Sequence, residues 1–85
     1  RALQVLGDVR TARGDAAGAL EAFRRAVRAN PDDGAQYWNL GNAYARLGRA
    51  AEACASWRQV LRFRVYPGLR EEAARKLAAT GCPAF

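Results

Sequence analysis

The chain repeats itself at an interval of 34 residues. Shifted by that interval, Leu6-Gly7 falls on Leu40-Gly41, Gly14 on Gly48, and Ala19 on Ala53. Ala16-Ala17 falls on Ala50-Ala51, Arg24 on Arg58, and Arg28 on Arg62, while Phe23 meets Trp57, a match in kind. Alanine coincidences are cheap in a chain with 20 alanines among its 85 residues, but two glycine pairs and a Leu-Gly pair at one offset are not. A period of this length restricts the fold to copies of one supersecondary unit that stack on each other.

Composition says what the unit is made of. Alanine is the best helix former, Ile is absent, and only three prolines interrupt the chain, so the units are expected to be helical. There is no histidine, which removes any mechanism or metal site built on imidazole. No apolar run approaches the roughly 20 residues that span a bilayer, so a soluble segment is expected. The chain opens with Arg1 and has no Met, and is therefore expected to be a piece of a longer protein.

Each unit reads as two helices joined by a turn. Leu3, Leu6, Val9 and Arg10 recur at helical spacing, and Gly14 supplies the left-handed residue that ends a helix. Asp15 then caps a second helix whose apolar face is Ala19, Leu20, Phe23, Ala26 and Val27. Asn30-Pro31-Asp32-Asp33-Gly34 stops it and caps the next. The second unit repeats the plan, with Tyr37, Leu40, Gly41 and Tyr44 before Gly48, and Ala53, Trp57, Val60 and Leu61 after it. A fifth helix is predicted from about Leu69 to Thr80, after Pro67-Gly68 and before Gly81, with Glu71 and Glu72 early and Arg75 and Lys76 late, as the helix dipole favours.

Tyr37-x2-Leu40-Gly41-x2-Tyr44 followed by Ala53-x3-Trp57 resembles the tetratricopeptide repeat. The first unit fits through Leu3, Leu6, Gly7, Ala19, Phe23 and Pro31, with Arg10 where an aromatic is expected. The second unit has Val65 in place of the closing proline, and Pro67 follows two residues later. The fifth helix fits if Gly81 matches Gly14 and Gly48, which puts Ala73-Ala74 in the small-residue slot, and Ala74 in the role of Gly7 and Gly41. The resemblance implies an all-α, right-handed solenoid of antiparallel helix pairs. Residues 1–33 form unit one, 34–67 unit two, and 68–85 a capping helix and tail, five helices in all. Two and a half units fall short of the three or so that make such a stack stable, so the fifth helix must cover the second unit, or further repeats or another copy must.

In this family the first helices of successive units line a concave groove that holds a peptide or a partner helix. Matching slots place Gln4, Asp8, Thr11, Trp38, Asn42, Ala45, Arg46, Arg75 and Ala79 on that face. Tyr37 takes the core slot, which sends Trp38 to the open side of its helix. Two readings of Trp38 stand: a binding hot spot beside Asn42 and Arg46, or a residue mostly covered by the neighbouring first helix. Asn42 is read as a peptide contact, and Asn39 as either that or a satisfier of local polar groups. The Lys/Asn/Arg clamp with which one subclass grips chaperone tails is absent. Its slots fall on Gln4, Asp8, Asn39, and near Gly68 and Glu72, and only the Asn39 slot is matched.

The net charge of +6 comes from 14 cations against 8 carboxylates, and all the cations are Arg except Lys76. Arg24, Arg25, Arg28, Arg58, Arg62 and Arg64 fall on the second helices, where stacking would line them along the convex side. Such a stripe could meet an acidic partner, an anionic membrane or nucleic acid. A solvated face with Glu21 pairing to Arg24 and Arg25 is favoured, since no aromatics interleave for base stacking. Cys54, near the start of the fourth helix, and Cys82, past the end of the fifth, are a candidate disulfide, because antiparallel packing brings those ends together. A bridge would imply a periplasmic or extracellular compartment, and free thiols would fit the cytoplasm.

No catalytic constellation emerges, and no cofactor or metal is expected. The chain is expected to be a non-enzymatic protein-interaction module. Gln4, Asp8, Trp38, Asn42, Arg46 and Arg75 would hold a protein or peptide. The alternative is a self-association segment of a larger assembly, with nucleic acid and membrane surfaces disfavoured.

Overall fold

The computed structural model describes residues 7, 9–63, 65 and 67–82. Five helices follow in order: α1, described at Gly7 and residues 9–12, then α2 (Ala16–Ala29), α3 (Gly34–Arg46), α4 (Ala50–Val60) and α5 (Pro67–Thr80). Each of α2 to α5 packs on its sequence neighbours, so α3 is flanked by α2 and α4, and α4 by α3 and α5. This sequential packing is that of repeated helix pairs with a further helix on the end. Among the described residues, no helix is long and apolar enough to cross a membrane.

One turn occurs three times. Gly14, Gly48 and Gly81 have φ of 79°, 75° and 70°, a region that L side chains seldom enter. Around each, the next residue's N–H reaches five residues back: Asp15 to Arg10 O at 2.8 Å, Arg49 to Tyr44 O at 2.9 Å, and Cys82 to Leu77 O at 3.2 Å. The glycine N–H bonds three residues back, to Thr11, Ala45 and Ala78. These paired bonds satisfy carbonyls that the helix end leaves open. The third copy closes α5 as the first two close α1 and α3.

The helix starts differ between units. The Asp15 side chain accepts from Gly18 N at 2.9 Å, and Asp33 accepts from Ala35 N at 3.2 Å. In the slot of Asp15 the second unit has Arg49, which gives no side-chain cap. Arg49 instead pairs with Glu52 in the first turn and lies over the Tyr44 ring at 5.3 Å. Arg10, in the aromatic slot of the first unit, donates from Nη1 to Gly18 O at 3.0 Å and so ties α1 to α2. α5 starts at Pro67, not at Leu69, because proline lacks only an N–H that the first helical turn leaves unpaired, and its φ suits that position.

The small residues act as spacers. A Cβ on Gly7 would stand 2.5 Å from the Phe23 ring, and one on Gly41 would overlap the Trp57 indole. The corresponding role expected of Ala74 is not seen. Ala74 is exposed, and Ala73 is the buried member of the pair. Gly41 faces the helix that follows it, and among the described residues no helix follows α5 for Ala74 to face.

Two core clusters result. Ala19, Leu20, Phe23, Leu40 and Ala43 form one, and Val60, Leu69 and Ala73 the other. Tyr37 packs on both, stacks on Phe63 with centroids 5.5 Å apart, and donates its hydroxyl to Pro31 O at 3.1 Å. Trp57, Leu69 and Val60 are the largest fully buried side chains. Cys54 and Cys82 are joined through their sulfurs, with Cα atoms 5.9 Å apart, tethering the end of α5 to the start of α4.

Candidate functional site

α3 supplies the central side chains. The Asp33 cap fixes its start, and Tyr37 is drawn into the space between the two clusters. One residue later the helix has rotated by about 100°. Trp38 therefore leaves the side held by Tyr37. It is half-buried and packs on the Val60–Leu69–Ala73 cluster, yet it also walls an open cleft of about 330 Å³. The rest of the cleft comes from α5, through Glu72, Arg75, Lys76 and Ala79. The expected groove residues Trp38, Arg75 and Ala79 are thus brought together.

The other groove residues separate from them. Asn42 is half-buried, and its Oδ1 accepts the Trp57 indole N–H at 3.3 Å, so its oxygen serves the α3–α4 contact. Arg46 lines a second cleft of about 260 Å³ with Thr11, Gly14 and Ala16. Gln4 and Asp8 lie outside the described residues. Trp38 and Arg75 thus line one cleft and Arg46 another, and Asn42 holds Trp57 through its oxygen.

Residues 7–48 match the family described as TPR repeat, and residues 37–63 match the one described as tetratricopeptide repeat. Residues 7–63 are tetratricopeptide repeats. No curated protein matches the chain. Tetratricopeptide repeats are in general protein–protein interaction modules and are typically not catalytic. Among the described residues, no group of three or more His, Cys, Asp or Glu could hold a metal ion.

Two cleft residues were not among the expected groove contacts. The sequence places Lys76 late in the fifth helix, where the dipole favours a cation, and assigns it no groove contact. In the structure Lys76 is exposed and lines the cleft. Glu72 is expected as an early acid of the fifth helix and as an unmatched clamp position, not as a groove contact. Adjacency to Arg75 on an exposed helix face is the signal that would have found both.

Charge is unevenly used across the repeats. Glu21 pairs with Arg25 at 3.4 Å, one turn along α2, as the solvated-face reading expects. Arg24, Arg28 and Arg62 are exposed and Arg58 is half-buried, while Arg64 lies outside the described residues. In the cleft, Glu72 is spaced for an i,i+4 pair with Lys76, but no such ion pair forms. Arg75 and Lys76 hold no carboxylate among the described residues.

Proposed function

We propose that the chain is a non-enzymatic module that binds a peptide or partner protein along the first helices of its repeats. Trp38 and Arg75 are its central contacts. The observation that carries this reading is a half-buried Trp38 walling an open cleft with α5, since a rigid aromatic at the edge of a pocket is what interface hot spots are built from. Arg46 and Thr11, expected on the same face, line a second cleft, which supports an extended ligand. Gln4 and Asp8 belong to the same proposed face, and Asn42 contributes through its amide N–H groups while its oxygen holds Trp57.

The experiment is a comparison of the wild-type and Trp38→Ala chains, scoring partner capture from the native source together with oligomeric state and helical content. Loss of capture at unchanged oligomeric state and helicity supports the reading. A changed oligomeric state with capture intact overturns it and favours the self-association alternative. One observation favours that alternative: Ala74, in a close-packing slot of the third unit, is exposed.

A further inference from the structure

We propose that the cleft between α3 and α5 takes an acidic segment of a partner protein, in which an apolar side chain beside Asp or Glu packs on Trp38 while the carboxylate meets Arg75 and Lys76. The inference rests on the groove reading above and adds the chemical class of the ligand. At about 330 Å³ the cleft lies at the small end of ligand pockets, with room for one or two side chains rather than a large cofactor. Its apolar wall is Trp38, backed by Val60, Leu69 and Ala73 so that the ring is held in place before anything binds. Ala79, one turn beyond Arg75, keeps the floor low.

Electrostatics sets the sign of the partner. Two cations line the cleft against one carboxylate, Glu72, and neither cation is paired within the described chain. A ligand carboxylate would therefore meet donors with no internal acid to displace. The +6 chain as a whole favours an acidic partner in the approach as well. Glu72 refines the register, because it repels a second acid at its own end of the cleft. An acidic peptide fits better than nucleic acid. Part of the one aromatic ring is already spent on the core cluster, and strand binding needs successive stacking surfaces along a basic track. The cations used here, Arg75 and Lys76, do not occupy the chaperone-tail clamp slots, which fall near Gly68 and Glu72 and hold no cation.

The test is selection from an unbiased random peptide display library, run in parallel on the wild-type chain, on Arg75→Glu/Lys76→Glu, and on Trp38→Ala. The expected result is enrichment of Asp or Glu next to Leu, Phe or another apolar residue. The charge-reversed chain should lose those peptides, with affinity about tenfold weaker or worse, and should turn towards basic ones. Glu72→Gln should strengthen binding, and added salt should weaken it. All these substitutions are of exposed residues except Trp38→Ala, and circular dichroism of each confirms the fold. Peptides that require Trp38 but show no acidic bias would overturn this inference and leave the groove reading standing. Acidic peptides indifferent to the charge reversal would overturn it too. No enrichment at all, or binding of a single-stranded oligonucleotide or anionic vesicles instead, would remove both.

Discussion

The indole N–H of Trp57 donates to the Oδ1 of Asn42 across the α3–α4 contact, at 3.3 Å. Trp57 is 2% exposed, and Asn42 supplies the acceptor for its N–H. Asn42→Ala is expected to cost about 1–3 kcal/mol, the range for leaving a buried donor unsatisfied. Asn42→Asp, which keeps the acceptor, should recover much of that. Urea denaturation of the three chains measures it, and an Asn42→Ala midpoint equal to wild type would mean that the bond contributes nothing.

Gly41 lies directly beneath the same indole. Gly41→Ala adds a Cβ that the Trp57 ring must move to admit, with an expected loss of about 1–3 kcal/mol from overpacking. Gly7→Ala should act likewise through Phe23. In the exposed turns, where a Cβ on Gly14 or Gly48 meets nothing within 4 Å, an alanine instead costs backbone strain of about 1–2 kcal/mol. Thermal unfolding of Gly41→Ala and Gly41→Val separates the two causes, because overpacking worsens with the larger side chain.

The bridge between Cys54 and Cys82 closes a loop with a sequence separation of 28. By the chain-entropy account, a loop of that length contributes about 3–4 kcal/mol. Thiol titration of the denatured, unreduced chain should find no free thiol, and two free thiols would contradict the bridge. Reduction, or Cys54→Ser, is expected to lower the unfolding midpoint and to speed amide exchange first in α5, whose end the bridge holds to α4.

The repeat made most of this architecture readable. Gly14, Gly48 and Gly81 announce three helix ends because only one residue type enters that conformation readily, and small residues under Phe23 and Trp57 announce the close helix pairs. Slot matching failed where the structure stops repeating. Ala74 occupies a close-packing slot by period, but α5 has no following helix among the described residues, and Ala74 is exposed. Asn42 could not be assigned from its position either. Its neighbour across the pair, Trp57, carries a polar N–H that the family pattern treats as a plain aromatic, and the Asn42 oxygen accepts it. The stacking of Tyr37 on Phe63 has no periodic signature, since Phe63 lies past the end of α4.

The central claim is that ligand meets this chain at the cleft between α3 and α5. Amide and indole chemical-shift mapping, with the tightest display-selected peptide titrated into labelled protein, tests it most directly. The account predicts perturbations concentrated at the Trp38 indole and at Glu72, Arg75, Lys76 and Ala79, with the buried Trp57 indole little changed. Perturbations confined to the exposed arginines of α2, with the Trp38 indole unmoved, would contradict it.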